Sequence, residues 1–233
     1  MDKIENLIMD NLLLDIKEGR YKVDNKLPSS NELAYKYGVP RMTVRKVYEN
    51  LEGMGYIYSY QGRGYYLKGR GKNIELVLAG DSFTKKIKDK GYDLQTKNLF
   101  CERIPYNEQI YNELKCEKND EIYKIGRLRI IDLEPVAIHT SYISKKTFPS
   151  IYIDGNNITS IHEYYVSKGF INHGANNSIL SLSYPTSKER KYLNCGELVP
   201  VIKIENSCID YDSNIVLEYT EIMYRGDRFR YRL

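Results

Sequence analysis

The chain has 233 residues, of which 42% are hydrophobic and 28% charged, with 23 tyrosines and no tryptophan. This is ordinary globular composition, and the length suits one large domain or two small ones. No run approaches 18 apolar residues, which argues against a membrane-spanning helix, and the acidic start MDKIENLIMD reads as mature sequence rather than a signal peptide.

These features point to the cytoplasm and to no membrane partner. The net charge of +4 is unevenly placed. Within residues 36–70 there are 7 basic and 2 acidic side chains, a local +5, as expected of a patch that meets a polyanion. Cys101, Cys116, Cys195 and Cys208 form no CxxC pair, and no histidine stands at metal-ligand spacing from them. They read as reduced thiols, and neither a metal nor a cofactor is expected.

Residues 2–18 read as a helix. Ile4, Leu7, Ile8, Leu12 and Ile16 recur at helical spacing, and Gly19 supplies the stop. A short connection, RYKVDNK, leads to Leu27-Pro28. Ser29 then opens a second helix, and Glu32 three residues later completes a capping box. Leu33 and Tyr37 form its buried side, and Gly38 ends it in the left-handed conformation.

The stretch PRMTVRKVYENL, residues 40–51, predicts a third helix. Val44, Val47, Tyr48 and Leu51 form an apolar stripe, and Gly53 and Gly55 close the helix. Arg41 and Arg45 lie one turn apart with Thr43 and Lys46 beside them, a group expected to point away from the stripe. YIYSYQGRGYYL follows as a hairpin with Gln61, Gly62, Arg63 and Gly64 at its tip. Two helices joined by a glycine turn and followed by a hairpin form a winged helix-turn-helix.

Three surface cations on one helix carry little meaning alone. The capping box, the Gly38 turn and the hairpin at fixed distances favour double-stranded DNA as the partner. The first turns of the recognition helix enter the major groove, where arginine bonds guanine edges. Thr43 suits phosphate or a thymine methyl. Arg63, flanked by glycines, suits a minor groove. Ser29 can cap its helix and touch phosphate as well.

The tract KGRGKNIE lacks an apolar pattern and reads as a linker. The expected division is a DNA-binding domain over 1–69, a linker over 70–75 and an α+β domain over 76–233. In that domain a short helix is expected at 81–91. Strands are expected near 96–104, 122–132, 135–143, 176–184, 199–211 and 214–224. Helices are expected near 107–115, 158–168 and 186–194. The last two strands flank a DSN turn and should pair antiparallel. Arg127 and Arg129 alternate along one strand and so share a face. Either they pair with carboxylates on a neighbouring strand or they clasp an anion.

LPSSNELAYKYGVPRMTVRKVYENLEGMGYIYSYQGRGYYL resembles the winged helix-turn-helix of the GntR family of bacterial transcriptional regulators. KIGRLRIIDLEPVAIHTSYI, FPSI, ITSIHEYY and VLEYTEIMYRGDRFRYRL resemble the UTRA effector domain of that family's HutC branch. The resemblance covers nearly the whole chain. It implies a homodimer that controls an operon by binding operator DNA, more often repressing than activating. It also implies a C-terminal antiparallel sheet domain with helices, of chorismate-lyase-like fold and without a catalytic role. The implied ligand is a small anionic metabolite such as a sugar phosphate.

Carried over residue by residue, the resemblance places Arg127 and Arg129 on the ligand-binding arginines. It places Ser160 at the helix start that meets the anionic group, and Glu218 and Tyr224 on the acid and tyrosine of the last strand. Glu218 and Tyr224 are six apart on one strand, hence on one face; a shared ligand role stands beside a solvated glutamate and a core tyrosine. There are departures. Asn31 stands where the family often has arginine, so it can offer DNA only a neutral hydrogen bond. Pro40 stands where serine is common and cannot cap with a side chain. His139 replaces a frequent acidic residue, and either favours further negative charge on the ligand or is a core or rim histidine.

Two other functions compete. One is a chorismate-lyase-type enzyme fused to a DNA-binding domain. His139, His162 and His173 form no evident triad or metal spacing, which weakens it. The other is a DNA-binding protein with no ligand.

Overall fold

The computed structural model describes residues 2–69, 74–77 and 82–232. The chain divides into two compact units, Met1–Asn73 with Cys195–Val199, and Ile74–Asn194 with Pro200–Leu233.

The first unit contains α1 (Lys3–Lys17), α2 (Ser30–Tyr37), α3 (Arg41–Gly53), β1 (Ile57–Tyr60) and β2 (Gly64–Leu67). Its helix boundaries follow local capping chemistry. Asp2 and Glu5 form a capping box on α1, and Ser29 and Glu32 form one on α2. Gly38 closes α2 at φ +64, a conformation that costs glycine nothing. Pro40 starts α3 with no side-chain cap, as its chemistry dictates.

The apolar stripes converge on one core. Ile8, Val44, Val47, Tyr48 and Leu51 are completely buried, with Leu12 and Leu33 nearly so. Each such aliphatic side chain stabilises the unit by roughly 1.5–3 kcal/mol. The Tyr48 hydroxyl donates to the Pro28 carbonyl over 2.6 Å, and its ring stacks on Tyr65 at 4.2 Å. The hairpin is tied to α3 by Glu52, whose carboxylate accepts from both the amide and the hydroxyl of Ser59.

The connection before α2 does more than link. Leu27 N–H donates to the Tyr65 carbonyl and Leu67 N–H to that of Asn25, so residues 24–27 run along β2 as an added edge.

The second unit contains β3 (Ile74–Val77), α4 (Phe83–Asp89), β4 (Leu94–Arg103), α5 (Glu108–Glu113), β5 (Ile122–Ile131) and β6 (Glu134–Ser144). It continues with α6 (Ile151–Asp154), α7 (Ile161–Ser167), β7 (His173–Ser183), α8 (Ser187–Leu193), β8 (Val201–Asp210), β9 (Val216–Arg225) and β10 (Phe229–Arg232). Six strands form one sheet in the order β4-β5-β6-β9-β8-β7, with every neighbour antiparallel. The β5–β6 turn places Asp132 and Leu133 at φ +50 and +67, the primed geometry that matches strand twist. β8 and β9 pair antiparallel on either side of the DSN turn, as expected.

Three short elements depart from expectation. β3 pairs in parallel with β10, so Ile74 and Glu75 are strand rather than linker. The rest of the expected linker, 70–73, lies outside the described residues, as does the start of the helix expected at 81. α6 is a single turn after FPS. The C-terminal RGDR segment is anchored by buried Arg225. Its Nε and Nη2 donate to the Asp227 carboxylate over 3.0 and 2.8 Å, and its Nη1 donates to the Pro135 carbonyl. Among the described residues no helix is long and apolar enough to cross a membrane.

Candidate nucleic-acid interface and effector cavity

In the first unit, α2, α3 and the hairpin enclose a concave surface. It brings together Ser29, Asn31, Arg41, Arg45 and the hairpin tip Gln61, Gly62, Arg63 and Gly64. The tip is shaped by backbone chemistry: Arg63 N–H donates to the Tyr60 carbonyl, and Gly62 and Gly64 sit at φ +75 and +110. Lys26 joins the surface because residues 24–27 run along β2. Its side chain reaches Gly64. Tyr60 and Ser59 also line it. Among the described residues, four cations and no carboxylate line this surface, so its field favours an anionic partner.

Two expected members stand apart. Lys46 turns toward α1, where its Nζ lies 3.7 Å from Glu5. Thr43 is half-buried on α3 and does not line the concavity. The reason is angular: residues 41 and 45 share one side of the helix, whereas 43 and 46 fall on other sides. Lys26 was missed because the connection before α2 carries no periodic signal; only hairpin packing brings it in.

In the second unit, one face of the six-stranded sheet forms the floor of a cavity of about 530 Å³. Strand alternation and register decide its residues. Arg127 pairs with His139 across β5 and β6, and Ser141 pairs with Thr220 across β6 and β9. Ala137 pairs with Tyr224, and Glu218 pairs with Cys208 across β9 and β8. α4 contributes Phe83, and α7 contributes Ser160 and Tyr165. All six expected effector residues therefore line one cavity: Arg127, Arg129, His139, Ser160, Glu218 and Tyr224.

The two arginines are 1% and 3% exposed, which makes their partners decisive. Arg127 Nη2 donates to the Ser141 hydroxyl. Arg129 Nη1 donates to the Thr96 hydroxyl and the Thr159 carbonyl over 2.6 and 2.8 Å, and its guanidinium lies over the Phe83 ring. Neither forms an ion pair with a carboxylate among the described residues, so pairing across neighbouring strands is not their arrangement. Burial pushes the Arg127 guanidinium down from its ordinary value, against the opposing pull of Glu218. Burial and then Arg127 lower Arg129 to about 9. At about 9, Arg129 remains a cation at neutral pH, and a guanidinium such as that of Arg127 is very hard to deprotonate in a protein.

His139 is a floor residue rather than a rim residue. Burial, then Arg129 and Arg127, hold its imidazole well below the ordinary 6.5, so the ring is neutral. Ser160 caps α7 by accepting from the Glu163 amide. Burial, then Glu218, push the Cys208 thiol far up, which leaves it protonated and a poor nucleophile.

The cavity is rich in buried polar atoms with no partner among the described residues. These are Arg127 Nε and Nη1, Arg129 Nε, His139 Nε2 and Thr220 Oγ1, while the Tyr165 hydroxyl and the Glu218 carboxylate lie beside one another. Buried polar groups are normally satisfied, and each orphan costs roughly 1–3 kcal/mol. Such a cluster suits a polar, anionic small molecule. Thr220 and Tyr165 had no sequence signal beyond alternation on β9 and helical spacing on α7.

A winged helix with a cationic concavity and a sheet domain with a charged cavity together define a DNA-binding regulator controlled by a small molecule. The UTRA domain family matches residues 89–230, and the family of bacterial regulatory proteins, gntR family, matches residues 5–67. The chain belongs to the UTRA-domain branch of the gntR family, and is a ligand-responsive, sequence-specific DNA-binding transcriptional regulator.

It is 28% identical over 225 residues to the HTH-type transcriptional repressor NagR of Bacillus subtilis (strain 168), covering 96% of this chain and 91% of that relative. It is 25% identical over 227 residues to the probable fructoselysine utilization operon transcriptional repressor of Escherichia coli (strain K12), covering 95% and 90%. The crystal structure of PhnF from Mycobacterium smegmatis shares the fold, with a TM-score of 0.62 at 19% identity, covering 96% of this chain and 97% of that one.

Proposed function

We propose that the protein is a cytoplasmic homodimeric repressor whose operator affinity falls when a small anionic metabolite, of the sugar-phosphate class, fills the sheet cavity. The observation that carries this reading is the pair of buried guanidiniums with unsatisfied N–H groups facing one cavity. A phosphate offers the oxygens those donors lack. The Thr220 hydroxyl and the neighbouring Glu218 and Tyr165 oxygens suit ligand hydroxyls. The relatives named as repressors, including one of a fructoselysine operon, support the direction of control and a sugar-related effector.

On this reading Ser29, Asn31, Arg41, Arg45 and the Gln61–Gly64 tip contact operator DNA, with Lys26 added to the set. Thr43 and Lys46 are left to flanking phosphates. Effector and operator are coupled by about 1–3 kcal/mol, the usual size for such linkage. The domains are residues 1–69 and 76–233, joined near 70–75, with Ile74 and Glu75 contributing to the second sheet.

The dimer forms along β7. This strand is an outer edge of the six-stranded sheet, and it leaves Ile179, Leu180 and Leu182 exposed at 63%, 45% and 74%. A long apolar edge is a hazard unless it is covered, and a second copy covers it with two-fold symmetry.

The test is a gel shift with the chain's own upstream DNA at physiological salt, with and without a panel of sugar phosphates. A specific shift that a phosphorylated sugar reverses is expected, and Arg127→Ala should shift DNA without responding. A response that survives in Arg127→Ala contradicts the cavity. The absence of any sequence-specific shift contradicts the whole reading.

A further inference from the structure

We propose that Met42 is a base-reading residue, whose thioether packs on the C5-methyl group of a thymine in the operator. This rests on the reading above in which α3 enters the major groove.

α3 buries one side and exposes the other. Val44, Val47, Tyr48 and Leu51 are completely buried, whereas Arg41, Met42, Arg45, Lys46 and Glu49 are exposed. At about 3.6 residues per turn, Met42 and Glu49 fall opposite the middle of the buried stripe, with Arg45 on one flank and Lys46 on the other. Met42 is the large apolar side chain that this helix exposes, at 58%. It takes no part in the core of its unit, and α3 starts with no side-chain cap that could involve it.

A single exposed apolar side chain needs no partner in general. The position of this one is what matters. Met42 lies in the first turn, beside Arg41 in sequence and one turn before Arg45, and both arginines line the cationic concavity. On the other flank, Lys46 Nζ lies 3.7 Å from Glu5 of α1. Further along the outer side, Glu49 brings a negative charge that the phosphate backbone repels. The end of α3 suited to DNA is therefore its first turns, and Met42 stands at the centre of their outer face.

The chemistry of the side chain selects the base. Base edges in the major groove present hydrogen-bond donors and acceptors, and thymine adds a methyl group. A methionine sulfur is a weak acceptor and the side chain has no donor. Met42 cannot pair with a purine edge as Arg41 and Arg45 can. Its unbranched, polarisable thioether instead moulds to a small apolar knob. The arginines then read purine edges, while Met42 tells thymine from a base without the methyl.

The experiment uses the full chain and a duplex site that it selects from a random pool, with fluorescence anisotropy at one fixed salt concentration. Each thymine of the selected site is replaced in turn by deoxyuridine, which lacks only the methyl. The unmodified chain should lose roughly fourfold in affinity at the contacted thymine, the equivalent of one buried methyl. Met42→Ala should bind the thymine site more weakly and show no loss at that position. Met42→Gln, similar in length but polar, should behave in the same way and serves if the first variant folds poorly. If no thymine responds in the unmodified chain, the methyl contact is overturned, even where Arg45→Ala confirms that α3 reads the site. A response of full size in Met42→Ala or Met42→Gln also overturns it and assigns the methyl to another side chain. If selection enriches no site, the proposal falls together with the reading of α3 as the recognition helix.

Discussion

Arg127 and His139 are direct partners across β5 and β6, at 1% and 5% exposure. A guanidinium and an imidazole so placed cannot both be charged cheaply in a buried site, and the histidine is the one that yields. The native ring is neutral, whereas the unfolded chain protonates its histidine near the ordinary 6.5. Above that pH neither state binds the proton and the site contributes nothing to pH dependence. Below it the unfolded state binds a proton that the native state does not. Stability therefore falls by up to about 1.4 kcal/mol per pH unit, until the depressed native value is reached. Urea midpoints near pH 7.5 and near pH 5.5 should differ more for the unmodified chain than for His139→Gln. An equal acid loss in both assigns the effect elsewhere.

Arg45 and Lys46 are neighbours in sequence with different surroundings. Arg45 lines the concave surface, whereas Lys46 stands beside Glu5. Arg45→Ala should weaken specific operator binding by about 1–3 kcal/mol and relax base preference. Lys46→Ala should cost less and act alike on all sequences. Fluorescence anisotropy at one fixed salt concentration separates them, and equal, sequence-specific losses would overturn the division.

Leu182 tests the β7 edge. Leu182→Lys places a charge on an exposed apolar strand, a common block to edge pairing. Leu133→Lys is the matched control, since Leu133 is 81% exposed in the β5–β6 turn. Sedimentation velocity should show a monomer for the first and a dimer for the second. A dimer in both moves the interface away from β7.

Asp227 holds Arg225 through two hydrogen bonds. Glu134 stays 3.2 Å from the same guanidinium, so losing Asp227 leaves the charge partly compensated and costs less than the roughly 3–5 kcal/mol of a fully broken buried pair. Asp227→Ala should lower the urea midpoint clearly, because both of its hydrogen bonds to Arg225 are lost. Glu134, 3.2 Å from Arg225 and paired with Arg228, is 33% exposed against 16% for Asp227. Glu134→Ala should therefore cost clearly less. The reverse order would show that Glu134, not Asp227, anchors β10.

Much of the first unit was legible because its signals are local. A capping box, a left-handed glycine and an apolar stripe act within a few residues, and α2, α3 and the hairpin lie where those signals put them. β3 and β10 were not legible. Each has four residues, and each is defined by pairing with a segment at the far end of the unit. Lys46 shows a subtler limit, because a helical wheel separates inside from outside but does not say which neighbour occupies each outer side.

In the second unit, strand parity alone put Arg127 with Arg129, and Glu218 with Tyr224. The resemblance named their roles, and nothing local could say whether a carboxylate waited across the strands. By itself the sequence determined the winged helix, the run of strands and the two arginines on one face, because those follow from nearest-neighbour sterics and periodicity. The tertiary structure decided what the arginines meet. It set them in a cavity with no ion-pair partner among the described residues, brought Tyr165 and Thr220 alongside, and seated a neutral histidine among them. Burial and the charge balance of a cavity depend on strands distant in sequence, so they exist only once the sheet has formed.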